Sequence, residues 1–186
     1  MSKKFTLQKI LYIAVLTALV FVVTYFRFPL LGSKVHFANA VCLLGGFLLG
    51  PLGGGIAAGL GSMLYDLFYY PSDLLTYVIT FVSKFAMAWV CGMIAYGGGR
   101  HAEKHGWNIA AAVIGAWTYV ALYMLKTYCY KLLIERVPME GVWIAMAEKF
   151  PASAINAVVA MIVAPILYTA LRPALQKAVI LRKMQP

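Results

Sequence analysis

The sequence has few acidic residues and little charge of either sign. Asp and Glu together number 6 among 186 residues, and charged residues make up only 12% of the chain. A soluble domain carries about 25% charged and about 45–50% apolar residues, whereas 63% of this chain is hydrophobic. A soluble protein with a single hydrophobic core is therefore excluded. The apolar runs are continuous, so the alternating pattern of a membrane β-barrel is excluded as well.

Motifs that carry chemistry are also scarce. Cys42, Cys91 and Cys129 lie in apolar runs without a CxxC spacing, so neither a disulfide framework nor a metal site is indicated. The glycine-rich stretch over residues 45–62 lacks the Lys-Ser or Lys-Thr ending of a phosphate-binding loop. No nucleophile–base pair is visible. We expect no catalytic residues, no metal ligands and no cofactor. Because no phosphate-binding loop is visible, we also expect a protein without its own ATPase.

What the sequence does contain is a series of apolar runs long enough to cross a membrane. They predict an all-α integral membrane protein, with a single membrane domain over residues 1–186 formed by a compact bundle of six transmembrane helices. The predicted helices cover about 8–26, 37–50, 53–69, 74–96, 107–133 and 150–172.

The second and third predicted helices are separated by a turn at Gly50-Pro51. Proline lacks an N–H donor, and glycine tolerates unusual dihedral angles. The spacings Gly46/Gly50 and Gly50/Gly54 follow the small-xxx-small pattern, which favours close packing of helices in lipid.

The distribution of basic residues predicts the orientation. With the N-terminus inside, the predicted inner segments hold nine Lys and Arg residues and the outer segments five. This asymmetry follows the positive-inside rule, so we expect both termini to be cytoplasmic. The longest predicted outer loops are 27–36 and 134–149.

Four polar residues inside the apolar runs are candidates for function. Each ionisable group costs roughly 2.5–3.5 kcal/mol at a helix centre, yet the predicted helices contain Asp66, Lys84 and Lys126, together with Asn156. Asp66 could pair with Lys84 or with Lys126 for a purely structural reason. Alternatively, these groups face a cavity that opens outward.

Aromatic residues favour the cavity. Tyr119, Tyr123 and Lys126 are spaced i, i+4 and i+7, so they share one helix face. An aromatic wall with a few fixed polar groups suits a planar heterocycle.

Ala14 and Ala18 also share one face, on the first predicted helix. Taken alone, this pair is explained equally well by internal packing, because alanine pairs are common in membrane helices.

Several segments together resemble the substrate-binding S component of energy-coupling factor (ECF) transporters, in its riboflavin-type branch. They are 35–46, 49–55 and 84–92, with the Ala14-xxx-Ala18 step and the predicted six-helix topology. The resemblance implies high-affinity capture of a vitamin or related heterocyclic micronutrient: riboflavin, a queuosine precursor, or a pyrimidine- or pyridoxine-type precursor. It also implies a multi-pass protein of a bacterial-type plasma membrane, with a separate membrane coupling subunit and two cytoplasmic ATPases as partners.

The resemblance assigns roles to particular positions. Ala14 and Ala18 would dock on the coupling subunit. The implied substrate-binding residues are Asn39, Lys84, Tyr119, Tyr123, Lys126 and Asn156.

The sequence leaves two other functions possible. A self-sufficient small secondary carrier or channel would move its substrate without partners. A small membrane enzyme would need paired catalytic groups at one depth, and only Asp66 with Lys84 or Lys126 approaches that arrangement.

Overall fold

Helices run through most of the computed structural model, which describes residues 7–30, 33–69, 74–177, 180 and 184. The elements in chain order are α1 (Leu7–Tyr25), β1 (Arg27–Leu30), β2 (Ser33–His36), α2 (Ala38–Tyr69), α3 (Leu74–Tyr96), α4 (His105–Cys129) and α5 (Met139–Lys177). A 3-10 turn at Gly97–Gly99 follows α3, and a π-helical turn at Tyr130–Ile134 follows α4. Within the described residues, five helical segments are long and apolar enough to cross a membrane. The predicted class, an all-helical membrane protein, is confirmed.

The longest apolar stretch bends sharply at Gly50. This residue has φ 72° and ψ −173°, a non-helical conformation that favours glycine, and Pro51 follows it. Residues 45 and 54 would be about 13 Å apart along a straight helix. In the structure, an ideal Cβ built on Gly54 lies only 2.5 Å from the Gly45 carbonyl oxygen. The two halves of α2 therefore turn back against each other at the predicted position.

The two halves of α2 form the centre of the fold. In the most apolar window of this helix 83% of residues are buried, against 22–39% in the other spans. Glycines permit this packing: a Cβ on Gly46 would lie 2.6 Å from the Ala88 carbonyl oxygen of α3, and one on Gly61 would lie 2.6 Å from the Thr17 carbonyl oxygen of α1. These distances support close helix packing as the role of the glycine-rich stretch.

The segment between α1 and α2, which the sequence predicts as a loop, forms a β-hairpin. β1 and β2 pair antiparallel, with Phe28 opposite Val35. The strand β2 also contacts α5. The hairpin is therefore attached to the last helix of the chain.

The prediction that residues 134–149 form a loop is largely wrong. The last helix begins at Met139 instead of about 150 and continues through Pro151. Val142 in this extra segment is fully buried, so packing holds the additional turns in place. At 1.5 Å per residue α5 is about 58 Å long, which exceeds the roughly 30 Å of the hydrocarbon core. Part of α5 must therefore extend beyond it.

Two arginines connect the helices at the end of the bundle where α3 leads into α4. Arg172 Nη2 of α5 lies 2.9 Å from Glu103 Oε1. Arg100 donates to the Ile94 carbonyl oxygen over 3.0 Å, and its guanidinium lies 4.0 Å from the Trp107 ring centroid. These contacts join α3, α4 and α5 at one end.

Candidate functional site

A buried lysine lies at the centre of the candidate site. Lys84 on α3 is only 5% exposed, and its ammonium donates to Asn39 Oδ1 at the start of α2. An ammonium loses its hydration when it is buried, so it requires hydrogen-bond acceptors in the protein. The Asn39 side chain supplies one, and it is itself 1% exposed. Two residues 45 positions apart in the sequence are thus brought into direct contact.

An aromatic pair on α4 completes this arrangement. Lys84 Nζ lies 3.9 Å from the centroid of the Tyr119 ring. A cation over an aromatic face gains about 2 kcal/mol or more when it is desolvated. Tyr119 stacks on Tyr123, with ring centroids 5.9 Å apart and an angle of 20° between the planes. Helices α2, α3 and α4 each contribute to one polar and aromatic cluster: Asn39, Lys84, Tyr119 and Tyr123, the Lys84 cluster.

Asn156 fastens the hairpin to α5. Its Oδ1 accepts a hydrogen bond from the His36 backbone N–H over 2.9 Å, and its side chain is buried. His36 ends β2, and Asn39 follows three residues later. Asn156 therefore holds the strand that leads directly into the Lys84 cluster. The sequence could not predict the role of the His36 backbone, because every residue except proline has an N–H group and the residue type does not show which of them is used.

Replacing Asn156 by leucine is expected to loosen the hairpin. The substitution removes the acceptor of the His36 N–H, and a lost buried hydrogen bond costs about 1–3 kcal/mol. Amide hydrogen exchange at residues 33–36 should accelerate at least about fivefold. Asn108→Leu is the matched control, since Asn108 is also buried and bonds the Ala102 carbonyl oxygen at the opposite end. Unchanged exchange in Asn156→Leu would show that this bond does not hold β2.

Lys126 belongs to the predicted binding set, and Asp66 is the remaining polar candidate of the predicted helices. Lys126 is half-buried in the last turn of α4, seven residues beyond Tyr119. Asp66 is half-buried near the end of α2. The ion pairs Lys131–Glu135 and Arg172–Glu103 of the described residues involve other carboxylates, and a pair of Asp66 with Lys84 or Lys126 stays a prediction.

Ala14 and Ala18 lie in a separate, apolar groove between α1 and the second half of α2. Both alanines are exposed. The groove has a volume of about 680 Å³. Its lining residues are Ile10, Ile13, Ala14, Thr17, Ala18, Phe21, Ile56, Leu60, Leu64 and Phe68. Thr17 donates its hydroxyl to the Ile13 carbonyl oxygen over 2.8 Å, so even this residue offers the groove little polarity. The contribution of α2 to this surface was missed from the sequence, because it depends on the bend at Gly50.

Among the described residues, no group of three or more His, Cys, Asp and Glu side chains is placed to hold a metal ion. The cluster instead combines donors, an acceptor and stacked rings, which is the chemistry that orients an organic ligand. The fold and the Lys84 cluster thus define a helical membrane protein with a candidate small-molecule site.

Comparison with known proteins identifies the family. The family model of the ECF-type riboflavin transporter S component matches residues 4–173. The chain belongs to this family, and it is a substrate-binding transport subunit of an ECF transporter and not itself an ATPase.

A solved structure supports the fold. It comes from work on the structure and mechanism of the S component of a bacterial ECF transporter, and the two folds have a TM-score of 0.69. The similarity covers 90% of this chain and 97% of that chain at 22% sequence identity, so it concerns the fold alone. The curated proteins contain no match.

Proposed function

We propose that this subunit captures a planar heterocyclic vitamin, or a related micronutrient, with high affinity in the Lys84 cluster. The observation that carries the proposal is the buried contact of Lys84 with Asn39 and the Tyr119 ring. Two stacked tyrosines suit a flat ring, and the fixed polar groups suit its hydrogen-bonding edge. The family description names riboflavin, which has a planar ring of this kind.

The proposed site also includes Lys126 and Asn156. Lys126 follows Tyr123 on α4 by three residues, so it belongs to the same side of that helix. Asn156 fixes the hairpin above the start of α2.

For coupling, we propose that Ala14 and Ala18 receive a helix of a separate membrane subunit. Small exposed side chains let two helix backbones approach closely in lipid. The groove around them is wide and apolar, and α1 leaves most of its surface outside the protein core. Two cytoplasmic ATPases would supply the energy, since the chain has no nucleotide-binding motif of its own.

For topology, we propose six spans in a bacterial-type plasma membrane, with both termini cytoplasmic. Counting the two halves of α2 as separate spans supports this arrangement, because the chain reverses at Gly50. The basic residues Arg100, Lys104, Arg172 and Lys177 fall at the end proposed to be cytoplasmic. Their positions agree with the positive-inside rule.

Reconstitution in liposomes tests this function. We expect the chain alone to bind riboflavin without net flux, and ATP-dependent uptake to require the coupling subunit and both ATPases. Binding is measured by equilibrium dialysis and uptake with radiolabelled riboflavin. Flux by the chain alone would instead establish a self-sufficient carrier or channel. ATP-independent chemical turnover of the vitamin would establish an enzyme.

A further inference from the structure

Asn39 Nδ2 and Ser153 Oγ are buried polar atoms near the hairpin for which the described structure shows no hydrogen-bond partner. Asn39 is 1% exposed and Ser153 is 5% exposed. Buried polar groups in folded proteins almost always have partners, and each exception requires an explanation such as a bound molecule. Both residues are therefore candidates for ligand contacts, and Ser153 is absent from the set predicted from the sequence.

The orientation of the Asn39 amide follows from chemistry. The Lys84 ammonium has donors only, so the atom that faces it must be the amide oxygen. The amide nitrogen of Asn39 therefore points to the other side, with two N–H donors and no acceptor of its own. Only an acceptor atom can satisfy this nitrogen.

Ser153 lies at the same end of the bundle as Asn39. It precedes Asn156 by three residues, so the two share one face of α5. Asn156 is bonded to His36, and His36 is three residues from Asn39. The strand β2 thus brings the Ser153 face of α5 towards the start of α2. A hydroxyl can accept or donate, so Ser153 can serve either kind of ligand atom.

We infer that Asn39 and Ser153 are specificity-determining contacts, and that the ligand presents an acceptor oxygen, a ring carbonyl or a carboxylate, to the Asn39 amide. This inference rests on the proposed function, because it concerns the same site. The ammonium of Lys84 lies beside the amide and attracts a partial or full negative charge. A ligand that carried a cationic amine at this position would meet an N–H donor and a like charge.

Asn39→Asp tests the first contact with almost no change of shape. The carboxylate still accepts from Lys84, so the packing is kept, but the donor becomes an acceptor that repels a ligand oxygen. With riboflavin as the probe and full-length protein in nanodiscs, we expect at least tenfold weaker binding. Ser153→Ala should weaken binding about threefold to tenfold. Thr24→Val is the control, because its buried hydroxyl already bonds the Val20 carbonyl oxygen on α1.

Pyridoxamine, a cationic amine, is the contrasting probe. We expect wild-type protein to prefer riboflavin and Asn39→Asp to reduce or reverse that preference. Wild-type preference for pyridoxamine, or full riboflavin affinity in Asn39→Asp, would overturn the inference.

Thermal unfolding without ligand tests the role of Ser153 even if neither probe binds. A hydroxyl reserved for a ligand contributes nothing to the empty protein, so Ser153→Ala should leave Tm unchanged or raise it. A fall of Tm by about 3 °C or more would reveal a structural partner and refute the assignment. Co-purification of wild-type protein with the coupling subunit tests the proposed function separately, since it requires no ligand.

Discussion

Gly54→Ala is expected to lower the Tm by about 10 °C and to reduce the yield of folded protein sharply. The new Cβ would lie 2.5 Å from the Gly45 carbonyl oxygen and 2.6 Å from Gly46 N. Both are backbone atoms of the first half of α2, so no side chain can rotate to relieve the overlap. The two halves must separate, and the neighbouring helices that pack on both halves must follow.

The measurement is thermal unfolding of detergent-solubilised protein followed by size-exclusion chromatography. Gly106→Ala is the matched control, because a Cβ at that position meets nothing within 4 Å. Gly106 lies in the first turn of α4, so alanine there should leave Tm unchanged or raise it slightly. A Gly54→Ala protein as stable as the Gly106→Ala protein would disprove the close contact between the halves of α2.

The double substitution Ala14→Leu with Ala18→Leu is expected to abolish coupled uptake while ligand affinity stays unchanged. Each added side chain fills part of the apolar groove from the α1 side. Overpacking a contact costs about 1–3 kcal/mol, so two substitutions should weaken the complex with the coupling subunit about 30-fold or more. Both alanines are exposed, and larger apolar side chains there meet lipid, so the subunit itself should remain folded.

A second alanine pair provides the control. Ala170 and Ala174 are also four residues apart and exposed, but they lie on α5, outside the groove. Leucine at both positions should preserve co-purification and uptake. Equal loss of uptake from the two pairs would show that the groove is not the docking surface. Loss of ligand binding in the α1 variant would show that α1 acts on the binding site instead.

The sequence was sufficient to predict the turn at Gly50 and the helix face that Tyr119 and Tyr123 share. Gly50-Pro51 combines a residue that tolerates positive φ with one that lacks an N–H, so a local rule applies. Likewise Tyr119 and Tyr123 are one turn apart, and their stacking follows from helix periodicity. An ammonium buried among apolar helices requires partners, and this requirement follows from the residue type and its position in an apolar run.

Other features depend on tertiary packing and could not be predicted. The sequence predicts a last helix that begins at about residue 150. The helix nevertheless continues back to Met139, where burial of Val142 holds the additional turns. The Asn39–Lys84 bond depends on how α2 packs against α3, and neither residue carries a signal for the other. The apolar groove arises only after α2 has turned back along α1.

The bend in α2 has a consequence for communication within the molecule. Asn39 belongs to the first half of this helix, and the groove residues Ile56 and Leu60 belong to the second. The shortest covalent route from the buried amide to the groove therefore passes through Gly50. The two halves also pack on each other at Gly45 and Gly54, so the buried amide and the groove belong to one packed unit. That contact, and not the chain alone, fixes the spacing of the two surfaces.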